Sequence, residues 1–381
     1  MKHIFFSIIF FFSVIFSHAQ VIQGTVYDSK TRETLPGVVI FFDGTSIVTT
    51  SDYDGKFRFV LENKINANLV LSHLSYESLV IEKPFEHRGE SFFLKEKTNT
   101  IQAAVVTAEY DPFRAQRMHV FKNFFLGESV AAKSCAILNE DDIILRYDNL
   151  TNILHASARN PLIVENRHLG YRITIEIQNF QVKYTYTHTP YTSPNTSNVG
   201  SSFSARNPIS FELAPMSFSY KINYFFVDQG RYDISLTRRR NEIYERSRQY
   251  FWTSLITNFA LKESGFKIFN MLKEIHAEDY FLVIDDPTQN TKEVLLMPDT
   301  DLNRKHREIS DRRIYGVMGI RCKKNIVSEV IFMTNRFSVD HFGNIATSGI
   351  VYLGDMSNQR VGDMLPRDFT YTPSRVPRRL R

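Results

Sequence analysis

Residues 21–82 read VIQGTVYDSKTRETLPGVVIFFDGTSIVTTSDYDGKFRFVLENKINANLVLSHLSYESLVIE. The pattern is that of a small sandwich of short strands. Ile22, Gly24 and Val26 open an alternating strand. Leu35-Pro36-Gly37 is a turn, with Pro presetting φ and Gly free to take positive φ. Residues 38–42 form an apolar strand, and Asp43-Gly44 turns the chain again. Asp54-Gly55 predicts a two-residue type I′ hairpin, followed by Phe57 and Phe59 in alternation. Leu69, Leu71 and Leu74 mark another strand, and Val80 with Ile81 the next. Short strands at regular spacing, separated by Gly and Asp turns, predict a sandwich.

Within that pattern lie Gly24, Val26, Asp28, Leu35-Pro36-Gly37-Val38, Gly44-Thr45, Thr50, Asp52, Asp54-Gly55, Phe57 and Ser75-Tyr76. By these residues the stretch 21–108 resembles the carboxypeptidase-like regulatory domain, a prealbumin-like sandwich. Residues 101–108 resemble the strand that closes such a domain. The resemblance implies an exported protein, because the module opens many outer-membrane transporters and envelope proteins of Gram-negative bacteria. It does not carry a peptidase with it. His87-Arg88-Gly89-Glu90 has the His-x-x-Glu spacing of a zinc motif, but catalytic zinc takes three protein ligands, and no third is identifiable. Asp52-Tyr53-Asp54-Gly55 echoes the start of a calcium loop yet lacks the acidic ligand that ends one. No cofactor and no metal are expected.

Residues 1–19 have the three parts of a secretory signal. Lys2 and His3 precede an apolar run, and Ser17-His18-Ala19 supplies the small residues at a cleavage site. The run is shorter than the roughly 20 residues needed to span a bilayer. No later segment is long and apolar enough for a transmembrane helix. The expected location is the periplasm, or association with the outer membrane. Aromatic residues make up 13% of the chain, with 32 Phe and 18 Tyr, which favours β structure with large buried side chains. A formal charge of +5 over 381 residues is too mild for a nucleic-acid-binding face. The two cysteines, Cys135 and Cys322, permit a disulfide in an oxidising compartment; two buried free thiols fit as well.

Tyr110 begins a polar connection with Pro112, so residues 109–116 read as a linker. Beyond it the chain carries Phe121-Lys122-Asn123-Phe124-Phe125-Leu126-Gly127, Asn160-Pro161-Leu162, Asn166, Leu169-Gly170-Tyr171 and Arg360-Val361-Gly362-Asp363-Met364-Leu365-Pro366. Residues 117–369 thereby resemble an uncharacterised region that accompanies the regulatory module in other exported proteins. Ile173, Ile175 and Ile177 alternate with polar residues. The apolar phase then slips by one and resumes at Phe180, Val182, Tyr184 and Tyr186, which predicts a β-bulge. Residues 187–204 are rich in Thr, Ser, Pro and Asn and read as a loop. Phe218, Tyr220, Ile222, Tyr224 and Phe226 alternate as a strand. Residues 238–259 carry an apolar helical face, and a short helix is expected over 266–275. Strands return at 280–284, 294–297, 314–321, 326–333 and 350–353. A basic tail, 370–381, ends the chain.

The fold class is therefore mainly β. An N-terminal prealbumin-like antiparallel β-sandwich, residues 20–108, precedes a larger β-rich domain with one or two helices. No Gly-x-Ser-x-Gly elbow, His-Glu-x-x-His helix or phosphate-binding glycine loop occurs. Asp285-Asp286 is a paired carboxylate, but neighbours on a strand face opposite ways. Asp340, His341 and His306 read as ordinary surface residues. Arg238-Arg239-Arg240 is either a site for an acidic partner or a solvated face. The leading expectation is a non-enzymatic envelope protein that binds or docks a protein or glycan partner. A hydrolase acting on peptide or glycan, and an accessory of an outer-membrane transporter, are the alternatives. The chain beyond Ala108 is too short for a plug and a transporter barrel of about 22 strands.

Intact-mass analysis of protein taken from envelope fractions should show a chain beginning at Gln20. Recovery of chains that still carry Met1 to Ala19 would overturn the export expectation.

Overall fold

A computed structural model describes residues 20–87, 89–97, 111–189, 210–230, 233–270, 273–286, 290–297, 314–322, 326–346 and 349–372. The secretory start expected at 1–19, the closing strand expected at 101–108, most of the 187–204 loop, His306 and the tail beyond Thr372 lie outside these residues.

The first domain is a sandwich of seven strands: β1 (Gln20–Asp28), β2 (Val39–Phe42), β3 (Val48–Thr50), β4 (Lys56–Leu61), β5 (Leu69–His73), β6 (Tyr76–Ile81) and β7 (Glu90–Leu94). One sheet has the order β4-β1-β7 and the other β3-β2-β5-β6. All pairings are antiparallel except β1 with β7, which run parallel. The alternation seen in the sequence decides the faces. Ile22, Val26, Ile40, Phe42, Phe57, Phe59 and Leu71 fill the space between the sheets.

The residues that carry the resemblance hold this sandwich together. The Asp28 carboxylate accepts the N–H of Lys30 at 2.6 Å and of Thr31 at 2.9 Å, and the Tyr76 hydroxyl at 2.7 Å. The Thr31 N–H, with the Tyr76 hydroxyl next, holds its carboxyl below the usual range. Ser51 donates to Leu35 O and accepts from Val38 N, so it clamps the Leu35-Pro36-Gly37 turn. The expected type I′ hairpin is a different turn. Gly55 alone takes positive φ, +71°, and its N–H bonds Asp52 O at 2.9 Å. The Asp52 side chain also accepts from Asp54 N and Lys56 N. This turn passes the chain from one sheet, through β3, to the other, through β4.

Two helices follow, α1 (Arg114–Phe125) and α2 (Val130–Lys133). The helix α1 takes up the end of the connection read as a linker, because Asp111 caps its approach by accepting Phe113 N and pairing with Arg117. Then come β8 (Cys135–Ile137), β9 (Ile143–Asp148), β10 (Ile153–Ala158), β11 (Leu162–Asn166), β12 (Tyr171–Thr189) and β13 (Ser210–Asp228). They form one sheet in the order β8-β11-β12-β10-β9, with β13 paired along β12. The expected slip is a register shift between Ile177 and Asn179. It keeps Ile173, Ile175, Phe180 and Val182 all in the core that holds Phe121 and Phe125 of α1, with Phe180 edge-on to both rings. The far end of the chain closes this core. Asn166, only 1% exposed, donates to Gly362 O at 2.9 Å, and Gly362 N bonds Leu126 O at the same distance.

The expected helix over 238–259 is two helices, α3 (Ile234–Tyr244) and α4 (Arg248–Ile256). Ser247 breaks it: its hydroxyl accepts Tyr250 N at 3.1 Å and restarts the helix as an N-cap. The helix expected at 266–275 is a hairpin of β14 (Phe266–Asn270) and β15 (Lys273–Ile275). Buried Phe266 and Ile268 repeat every second residue, and pairing with β18 (Gly316–Cys322) fixes the strand. A short α5 (Ala277–Tyr280), β16 (Phe281–Asp286), β17 (Thr291–Leu296), β19 (Ile326–Phe332), β20 (Arg336–Val339) and β21 (Ile350–Gly354) complete the chain. The sheets β15-β14-β18-β19-β21 and β16-β17-β20 wrap α4, whose Trp252 packs on Phe281, Phe332 and Phe337. Among the described residues no helix is long and apolar enough to cross a membrane.

The two parts are joined by a polar clamp. Gly44 N bonds Tyr224 O at 2.7 Å, and Phe226 N bonds Thr45 O at 2.8 Å. Tyr224 N donates to the Asp43 carboxylate at 2.9 Å, and Ser46 N to Asp368 at 2.8 Å. A Cβ on Gly44, whose φ is +77°, would stand 2.9 Å from the Arg367 side chain. Phe41 of β2 meets Phe225 of β13 at 4.8 Å between ring centres.

Replacing Gly55 with Val should lower stability by about 1 kcal/mol or more. The Cβ would meet Val26 O at 2.6 Å as well as strain a positive φ. A denaturant midpoint of the variant chain (residues 20–381) equal to that of the parent would refute this turn.

Candidate functional site

A cleft of about 570 Å³ opens in the larger domain. Five elements wall it. Tyr244 ends α3, Thr253, Ile256 and Thr257 come from the end of α4, and Asp285, Asp286, Asn290, Thr291 and Lys292 from the β16–β17 hairpin. His341 and Phe342 come from the turn after β20, and Phe369, Thr370 and Tyr371 from the C-terminal segment.

A buried aspartate shapes the fourth wall. Asp340 is fully buried, not the surface residue expected. Its carboxylate accepts Phe342 N at 2.9 Å, Asn344 N at 2.8 Å and, from the first domain, Asn66 N at 2.8 Å. Burial pushes its carboxyl above the usual range, and these N–H donors oppose the shift. The same tight turn leaves His341 exposed on the cleft. At the back, Tyr371 donates to Glu245 at 2.8 Å and stacks on Tyr244 at 5.5 Å. Burial, then the bond to Glu245, raises the Tyr371 hydroxyl well above its ordinary value. It is a neutral hydrogen-bonding group throughout the physiological range.

Asp285 and Asp286 both line the cleft. They are the last residues of β16, and the cleft meets the hairpin at its tip. Lys292 pairs with Asp285. The cleft thus offers carboxylates and hydroxyls on one side and aromatic rings on the other.

The other residues singled out by sequence lie elsewhere. The arginine run is used internally. Arg239 Nε donates to His168 O at 2.7 Å, and Arg240 Nε to Leu169 O at 2.8 Å. Arg240 also holds Asp228 through two bonds of 2.8 Å and covers the Tyr171 ring at 3.9 Å. Arg238 alone faces solvent, loosely paired with Glu242 at 4.0 Å. Cys135 and Cys322 are free thiols in different hydrophobic cores, with Sγ near Ala131 O and Glu245 O respectively. Burial pushes the Cys135 thiol up to about 12. His87 Nδ1 and Glu90 are 3.1 Å apart at the exposed start of β7. Among the described residues no three His, Cys, Asp or Glu side chains converge as a metal site.

Sequence reasoning missed Tyr371 and the buried role of Asp340. The usable signal for the latter was local: Asp340 to Asn344 spell Asp-His-Phe-Gly-Asn, and Gly343 has φ +83° in a turn whose amides need an acceptor.

With the geometry in place, comparison with known proteins identifies one segment. Residues 22–106 match the CarboxypepD_reg-like domain. That span is the sandwich of β1 to β7, so the regulatory-type module sits on a larger β-rich domain which the match does not reach. Among curated proteins none matches the chain.

Removal of the Arg240 side chain by alanine should cost about 1–3 kcal/mol, because Leu169 O, Gly170 O and Asp228 lose their donors. Arg238→Ala should stay within about 0.5 kcal/mol. Equal effects of the two variants on the thermal midpoint would restore the run to the surface.

Proposed function

We propose that this is a non-enzymatic, exported protein of the cell envelope whose larger domain binds a protein or glycan partner. The CarboxypepD_reg-like module is the docked support that keeps the binding surface in shape. The observation that carries the proposal is the open cleft of about 570 Å³ between the aromatic rings of Tyr371, Phe369 and Phe342 and the polar tip of the β16–β17 hairpin. Apolar walls with a few placed polar groups suit recognition. Rings that carry a hydroxyl bury area and still offer a hydrogen bond. The secretory start and the family of the first domain support the envelope as its location.

A hydrolase is the second reading. Its support is that Asp286 and His341, a carboxylate and an imidazole, share this cleft. An accessory role beside an outer-membrane transporter would use the same surface and differs only in the partner's identity.

Mature protein immobilised and exposed to solubilised envelope fractions should retain a defined protein or glycan species. Tyr371→Ala should reduce its retention at least about tenfold, while Arg238→Ala retains it. Equal retention by the Tyr371 variant would move the partner surface away from the cleft. Cleavage of the retained species that stops in Asp286→Asn or His341→Ala would replace binding with hydrolysis.

A further inference from the structure

We propose that the gap between the two domains is a separate binding site for the hydroxyl groups of a single saccharide residue. It stands apart from the larger cleft and shares no lining residue with it. The outer face of the first domain's β3-β2-β5-β6 sheet lies against the outer face of β12 and β13. Between them is a cavity of about 290 Å³. That is close to the lower limit of roughly 300–1,000 Å³ for ligand clefts, and one monosaccharide fills it.

Its polar wall is a pair. Glu176 on β12 and Asn223 on β13 are direct cross-strand partners, and both line the cavity. Ser78 of the first domain donates to Glu176 Oε1 at 2.6 Å, which fixes the carboxylate. The second oxygen, Oε2, is buried with no protein partner, and so is the Asn223 amide nitrogen. Asn223 is only 5% exposed. A buried donor or acceptor left unmet costs about 1–3 kcal/mol, so two side by side call for a ligand that answers both. The donor and the acceptor point to a complementary pair. One hydroxyl donates to Glu176 Oε2, and the oxygen of its neighbour accepts from Asn223 Nδ2. Two adjacent hydroxyls on a pyranose ring have that disposition.

The second wall is apolar. Phe41 and Phe225 both border the cavity and touch at 4.8 Å. They offer aromatic surface to the C–H face of a sugar. A peptide strand is excluded by the geometry. Such ligands add to a sheet edge through main-chain bonds. Here two sheet faces meet: β2 is paired on both sides by β3 and β5, and β12 runs along β13 through Glu176, so each strand turns its face and not an open edge to the cavity.

The test uses the full mature chain labelled with ¹⁵N. It is titrated in turn with methyl β-glucopyranoside, methyl α-mannopyranoside and N-acetylglucosamine, with N-methylacetamide as the amide probe and cyclohexanol as the apolar one. At least one sugar should move the Asn223 side-chain amide signal in a saturable way. Glu176→Gln keeps the shape and an acceptor for Ser78; it should weaken that binding at least about tenfold. Tyr371→Ala should leave it unchanged, so failure here and failure of the larger cleft are separable. Asn223→Leu is read only if its thermal midpoint matches the parent. No response to any of the three sugars overturns the proposal. So does an equal response to N-methylacetamide or cyclohexanol, or full binding by Glu176→Gln.

Discussion

Two carboxylates at the domain boundary, Asp340 buried and Asp43 half-buried, decide how this protein is put together. Asp43 belongs to the first domain and receives Tyr224 N from the second; Asp340 belongs to the second and receives Asn66 N from the first. A carboxylate out of water costs several kcal/mol unless donors replace the solvent. Here part of the replacement comes from the opposite domain in each direction. Burial raises the carboxyl of Asp43, with Tyr224 N–H and Arg367 opposing, and that of Asp340 in the same sense. Separating the domains would return both charges to solvent but would also strip Phe41 and Phe225 from each other. The polar clamp fixes the orientation, and the apolar contact supplies the burial.

That fixed orientation reaches the clefts. Phe342 packs against the core of the first domain, while His341 beside it lines the larger cleft. Asp340 holds both by accepting the N–H of Phe342 and Asn344. The first domain therefore buttresses a wall of the larger domain's cleft. A spacer on a flexible tether would leave the same turn with an exposed phenylalanine and with Asp340 Oδ2 held by the Asn344 amide alone.

The sequence was most legible where one residue type answers one local demand. Alternation in 22–26 and 57–59, with the apolar run at 38–42, made the sandwich readable, and the phase slip after Ile177 the bulge, because a period of two leaves no other explanation. Reading failed where a contact between distant segments decided. Residues 266–275 look helical in isolation, but Gly316–Cys322 supplies a strand partner, and pairing outweighs local preference. One hydroxyl, at Ser247, splits what charge and apolar spacing present as a continuous helix. The arginine run looked like a surface because density of charge is visible and carbonyl acceptors are not. His168 O and Leu169 O lie some seventy residues earlier in the chain. The larger cleft joins the ends of α3 and α4, a hairpin tip, a turn and the C-terminal segment, and no spacing rule links these five.

The clefts also differ in what they depend on. The larger one is built from second-domain residues and is only buttressed by the first domain. The smaller one exists only when the domains are docked, since Ser78 of one domain orients Glu176 of the other. A ligand that satisfies Glu176 and Asn223 gains its binding energy from the docked state alone. By linkage it must favour that state by the same amount. Through the Asp340 turn, that preference extends to the wall that carries His341 and Phe342. A regulatory-type module can therefore influence a distant cleft, provided its docking is both specific and incomplete in hydrogen bonds.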